Sequence, residues 1–272
     1  MMPPMTAADG PITFAIISSA PAASALLETV CDALGARTKL TIKPIVLRSY
    51  DKLASGMKSG EVDVAWAPPL VAIDLERAEI GKIRLCSRRA GKPDYSSAIF
   101  VKKSSKIGSV LDLVGKRVAW VAKESSAGYV VPRLKLLSEL VDPDQAFSEQ
   151  VFRRTHEAVA RAVSSGDSDV GATYVHLDED GNPTTAGWLE AGLSNEDVRV
   201  IATAGPIPAD VIAVSALLAA DKADTITEAL RKLGEPVLKL LNADSFDIPE
   251  LAHFQKLRAL VDSATPAPAT PS

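Results

Sequence analysis

Short apolar runs alternate with helix-period patterns along most of the chain. Ile12–Ile17 reads as a strand. Ala22–Leu34 reads as a helix, with Ala25, Leu26, Cys31 and Leu34 among its apolar positions and Gly35 as its stop. Leu40–Leu47 reads as a second strand, which Pro44 places at a sheet edge or a strand end. A helix over Asp51–Ser59, a strand over Val62–Trp66 and a helix over Pro69–Glu79 follow. The same grammar restarts after residue 95. Ala98–Lys102 is a strand, Ile107–Gly115 a short helix plus turn, Arg117–Val121 a strand and Ser126–Leu140 a helix that Pro132 kinks or delays. Val151–Arg153, His156–Val163 and Val170–Tyr174 give strand, helix and strand, and Asp178–Thr185 a loop. A strand at Val211–Ser215 precedes helices at Lys222–Leu233, Glu235–Asn242 and Pro249–Asp262. Strands alternating with helices in this way predict parallel α/β layers. The ends, 1–10 and the proline-rich 264–272, are expected to be disordered.

One segment occurs twice. Ser49–Val64 aligns without gaps on Thr155–Val170. Each copy has a hydroxyl N-cap candidate (Ser49, Thr155), a polar ring (Tyr50, His156), an acid (Asp51, Glu157), an apolar helix face, Ser-Gly, and Asp-Val opening a strand. Capping hydroxyls and first-turn acids stabilise a helix start, so a generic strand–helix–strand unit used twice accounts for the pattern. Two similar lobes, each presenting a ring at a helix N-terminus toward a cleft, account for it as well.

Composition narrows the function classes. In 272 residues, 30 Lys+Arg against 34 Asp+Glu leave a net charge of −4, which argues against general binding of nucleic acid or of a membrane surface. Aromatics at 5% are thin for base-stacking surfaces. The two cysteines, Cys31 and Cys86, make neither a disulfide framework nor a four-ligand zinc site and read as separate core thiols. The longest apolar stretches, Val64–Ile73 and Val211–Ala220, fall short of the roughly 20 residues a bilayer span needs. The start Met1-Met2-Pro3-Pro4 shows neither the charged n-region nor the apolar h-region of a secretory signal. The expected location is the cytoplasm if the chain as given is complete and the periplasm if a leader has been removed.

Phosphate-loop, dinucleotide, zinc-protease and nucleophile-elbow motifs are all missing from the sequence. The positive signal is Lys123-Glu124-Ser125-Ser126-Ala127-Gly128-Tyr129, directly after a predicted strand. Two hydroxyls and a glycine at a helix start can cradle an oxyanion, because free N–H groups and the helix dipole favour negative charge there. An ordinary N-cap serine explains the segment equally well. Trp66, next to Pro68-Pro69, can be a cleft wall or plain core.

At these residues the chain resembles the phosphonate/phosphite/phosphate-type substrate-binding proteins of ABC transporters. The matching stretches run in the family's order. They are Tyr50–Leu53 with Ser59–Trp66, Tyr95–Val101, Asp112–Ala119, Ser125–Pro132, Thr155–Glu157 and Pro206–Asp210. The resemblance implies an α/β, two-lobed type II periplasmic-binding-protein fold with a ligand cleft between lobes that close on a hinge. Lobe one would be 11–94 plus 205–262 and lobe two 95–204. It implies ligand-binding roles for Tyr50, Tyr95, Ser125, Ser126, Gly128 and His156, with Asp210 facing the organic end. The family often has a hydroxyl where this chain has Ala127. The implied partners are a small oxyanion and an ABC permease, with no cofactor, metal, nucleic acid or membrane insertion, and the protein is expected to be a monomer. Uncharged donors suit this site, since a helix N-terminus disfavours an imidazolium at His156. Two other readings stand beside it: a cytoplasmic enzyme on the same fold, of the chorismate- or futalosine-processing type, and a ligand-sensing or interaction domain.

Overall fold

The computed structural model describes residues 10–18, 21–89, 91–234, 237, 240–241, 243–250, 254–255 and 257–259. The expected disordered ends lie almost wholly outside these residues, as do most of the expected helix over Glu235–Asn242 and half of that over Pro249–Asp262. In chain order the strands are β1 (Ile12–Ile17), β2 (Ile42–Leu47), β3 (Val64–Ala67), β4 (Gly81–Arg88), β5 (Asp94–Lys102), β6 (Arg117–Trp120), β7 (Glu149–Phe152), β8 (Val170–Leu177), β9 (Pro183–Ala186), β10 (Val198–Pro208), β11 (Val211–Ser215) and β12 (Ser245–Asp247). The helices are α1 (Ala23–Thr38), α2 (Tyr50–Ser59), α3 (Pro69–Arg77), α4 (Val131–Ser138), α5 (Pro143–Ala146), α6 (His156–Ser165), α7 (Gly187–Glu190) and α8 (Ala220–Arg231). No helix among the described residues is long and apolar enough to cross a membrane.

The chain divides into two compact units. Unit one takes the described residues up to Pro93 together with Pro208–Phe254; unit two takes Asp94–Ile207 and the described residues from Gln255 onward. The sheet of unit one runs β12-β4-β11-β3-β1-β2, and that of unit two runs β10-β5-β8-β6-β7 with β9 paired to β8. Both are built on a parallel trio, β2-β1-β3 in one and β7-β6-β8 in the other. In both, an antiparallel strand, β11 or β5, flanks the trio. Pro44 lies in β2 at the sheet edge, where a missing N–H costs no ladder bond. In β5, Ala98 and Phe100 enter one core and Ile99 and Val101 the other, so this strand is buried on both faces.

The repeated segment folds the same way twice. Ser49 accepts a hydrogen bond from Lys52 N at the start of α2, and Thr155 accepts one from Ala158 N at the start of α6. Each cap stabilises its helix by about 1 kcal/mol. Gly60 (φ 81°) and Gly166 (φ 86°) end the two helices in the left-handed region. The acids that follow reach across to the neighbouring strand. Asp63 Oδ2 accepts from Thr13 N at 2.8 Å, and Asp169 Oδ2 accepts from Arg117 N at 2.9 Å. Asp169 also pairs with the Arg117 guanidinium, whose hydrogen bond holds its carboxyl below the usual carboxylate range. A depressed carboxyl stabilises the native state above its unfolded value, near pH 4, and loses that contribution as pH falls further. Asp169→Asn should therefore lower the urea midpoint at pH 7, and its gap to the native chain should narrow at pH 3.

Several sequence expectations change. α1 runs through Gly35 to Thr38, and Lys39 (φ 62°) makes the left-handed cap instead, its N–H bonding Gly35 O. Gly35 serves close approach: a Cβ there would lie 3.1 Å from Leu40 O. The expected helix Ser126–Leu140 is a π turn over Ser126–Val130 followed by α4, in which Pro132 is the second residue and displaces no needed N–H. Strands β4 and β10 lie in segments that gave no strand signal, and the loop over Asp178–Thr185 carries the start of β9. Both cysteines are buried and unbridged, and burial pushes each thiol up to about 12. Trp66 packs edge-on to Phe246 against the core of unit one.

Candidate functional site

Open α/β sheets offer ligands the carboxyl ends of their parallel strands. In unit two, five of the expected site residues gather at that end. The chain leaves β6 at Trp120, and Ser125 caps the π turn, its hydroxyl accepting from Gly128 N at 3.0 Å. The N-cap role is thus real; a hydroxyl that accepts one bond still has its own proton to donate. Gly128 is required by space. A Cβ there would lie 2.3 Å from Val121 Cγ2 and 2.9 Å from Ser125 Oγ. From β5, two strands away across β8, Ser97 Oγ donates to Ala127 O at 2.8 Å and pins the turn to that strand. The Ala127 side chain is buried. Ser126 is 3% exposed, and its Oγ has no hydrogen-bond partner among the described residues.

The chain leaves β7 through Arg154, whose φ of 71° turns it into α6, and Arg154 N bonds Val121 O at 2.8 Å. His156 is the first residue of α6. Its Nδ1 lies 2.9 Å from Thr173 Oγ1 on β8. Rings then form a continuous row. His156 meets Tyr174 edge-on at 5.0 Å, Tyr174 meets His176 at 5.9 Å, and His176 meets Tyr95 at 5.8 Å. His176 is anchored in turn by Thr185, 2.7 Å from its Nδ1. Sequence reading missed Thr173, Tyr174 and His176. The available signal was the alternation Thr173-Tyr174-Val175-His176, in which both rings fall on one side of a strand.

In unit one, Tyr50 opens α2 after β2, and Asp210 precedes β11, whose first residue pairs with the last of β3. Both therefore lie at the carboxyl end of that unit's parallel trio. The Asp210 carboxylate is committed to Arg89, whose Nη2 donates to it at 2.9 Å and also reaches Leu241 O. Burial pushes the Asp210 carboxyl up, and the Arg89 guanidinium opposes that rise.

With this geometry in hand, comparison with known proteins places the chain. The family described as ABC transporter, phosphonate, periplasmic substrate-binding protein matches residues 14–254. The chain belongs to this family. Among its relatives is the phosphate-import protein PhnD of Mycolicibacterium smegmatis, 27% identical over 46% of this chain and 42% of that protein. The matched segment thus spans less than half the length of that curated relative. A binding-protein component of an ABC phosphonate transporter from Pseudomonas aeruginosa superposes with a TM-score of 0.75 at 23% identity, covering 93% of this chain and 86% of that one. PhnD1 of Prochlorococcus marinus, solved with methylphosphonate, gives 0.73 at 16% identity over 93% and 97% of the two chains. At these identities the superpositions establish the fold. It is the two-lobed α/β fold of periplasmic binding proteins.

Proposed function

We propose that the chain binds a small oxyanion of the phosphonate, phosphite or phosphate-ester type and delivers it to an ABC permease, as a binding protein that leaves its ligand chemically unchanged. The observation that carries this reading is the Ser126 hydroxyl, buried at the carboxyl end of β6 with no hydrogen-bond partner among the described residues. An unsatisfied buried hydroxyl costs about 1–3 kcal/mol, and an anionic oxygen that accepts its proton removes that cost. Ser125, bonded to Gly128 N, retains a proton to donate to the same anion. His156 and Tyr95 extend the donor set along the ring row. The assignments of Tyr50 and Asp210, in unit one, rest on the family resemblance alone.

A thermal-shift screen over phosphate, phosphite, alkyl phosphonates and phosphate esters tests the reading. At least one should raise the melting temperature, because a ligand at 100 times its Kd stabilises by about 2.7 kcal/mol. No shift from any of them at millimolar concentration would reject it. The same ligands should be recovered intact after incubation, and turnover of a chorismate- or futalosine-type substrate would favour an enzyme on this fold instead.

A further inference from the structure

One ring nitrogen of His156 has its partner on a neighbouring strand. Nδ1 lies 2.9 Å from Oγ1 of Thr173, a residue of β8 with no solvent exposure. Gly187, at the start of α7, backs directly onto this pair. A Cβ at Gly187 would lie 2.2 Å from Thr173 Oγ1 and 2.8 Å from His156 Cβ. Tyr174 braces the ring from the side, its plane at 83° to the imidazole.

The hydroxyl fixes where the imidazole proton sits. A neutral imidazole has one donor nitrogen and one acceptor, and a threonine hydroxyl can play either part. His156 Nδ1 is the hydrogen-bond partner of Thr173 Oγ1 among the described residues. If Nδ1 bore a proton, in either the other neutral tautomer or the imidazolium, the buried Thr173 O–H would be left without an acceptor, at the cost of a buried unsatisfied group. With Thr173 donating to Nδ1, the ring proton lies on Nε2, which makes that nitrogen a donor.

We infer that Thr173, with Gly187 keeping the space beside it open, is a positioning residue for anion recognition: its hydroxyl donates to His156 Nδ1 and holds the ring as the neutral Nε2–H tautomer. The inference rests on the anion-binding reading for its functional consequence and on the Thr173–His156–Gly187 geometry for its structural part. Histidine outer partners commonly set the tautomer of a functional ring in this way.

The test is ¹⁵N histidine NMR with calorimetry, using methylphosphonate and inorganic phosphate as probes. The chain has three histidines, so the His156 signals are assigned by their loss in His156→Ala. The native protein should show His156 with Nδ1 unprotonated. Thr173→Val should mix the tautomers and weaken binding roughly three- to tenfold, and Thr173→Ser should restore both. A purely structural threonine would lower the melting temperature in Thr173→Val without moving the tautomer. A protonated Nδ1 in the native chain, or an unchanged tautomer and affinity in Thr173→Val, overturns the inference. Should Thr173→Val fail to fold, the native spectrum decides alone. Unchanged affinity in His156→Ala also overturns the inference, by taking the ring out of the anion site, whereas no binding of either probe to the native chain counts against the anion-binding reading, whatever the tautomer.

Discussion

Ser126→Ala is expected to weaken binding of the preferred oxyanion roughly 10- to 100-fold while leaving the folded chain as stable as before, or more so. Loss of affinity follows because hydrogen bonds to charged groups contribute about 1.5–3 kcal/mol, and about 1.4 kcal/mol is a factor of ten. Stability moves the other way because the native hydroxyl is buried with no hydrogen-bond partner among the described residues, and alanine deletes that unsatisfied group. A residue kept for packing would show the opposite pair of effects. Ser125→Ala makes the contrast: its hydroxyl caps the π turn through Gly128 N, so its loss should cost about 1 kcal/mol of stability as well as affinity. Calorimetry and thermal unfolding on the two variants read both quantities. A Ser126→Ala chain with native affinity would remove the hydroxyl from the site.

Asp210→Ala should be the most destabilising of the substitutions considered for the expected site residues. The Arg89–Asp210 pair is about four-fifths buried, with 22% and 20% of the two side chains exposed. Removing one partner of a buried pair strands the other charge, which costs about 3–5 kcal/mol when burial is complete. The residual exposure argues for about 2–4 kcal/mol here, scaled from that range. Thermal unfolding in the absence of ligand measures it. A loss below about 0.5 kcal/mol, the ordinary surface range, would mean that the guanidinium finds solvent readily and that the pair has no structural weight.

What could be read from the sequence follows from where the signals were local. α2 and α6 were legible because each carries its own instructions: a capping hydroxyl, an acid in the first turn, an apolar face and a terminal glycine. β4 was missed because Lys82, Arg84 and Arg88 interrupt its apolar residues, although its burial comes from pairing with β11 and β12. β10 was missed because Gly205, Pro206 and Pro208 read as a break, yet it lies at a sheet edge, where proline is tolerated. Gly35 looked like a stop because glycine favours helix ends, and its actual service, room for Leu40 O, depends on a chain reversal that no local pattern announces.

The candidate site divides along the same line. Ser125, Ser126 and Gly128 stand together in the sequence, and His156 stands behind its cap, so these were visible. Tyr95, Tyr174 and His176 form one row through the antiparallel register that pairs Ser96 with Val175, a contact fixed by the fold and not by spacing. The commitment of Asp210 to Arg89 is hidden for the same reason. Its carboxylate accepts from a guanidinium that follows β4, a segment whose strand had left no signature.

The decisive measurement is the structure of the complex with the tightest ligand from the oxyanion screen. Oxyanion oxygens should lie within hydrogen-bond distance of Ser126 Oγ and of the Nε2 atom of His156, with Nδ1 still on Thr173. An anion bound with both of these groups out of reach would contradict the proposed site.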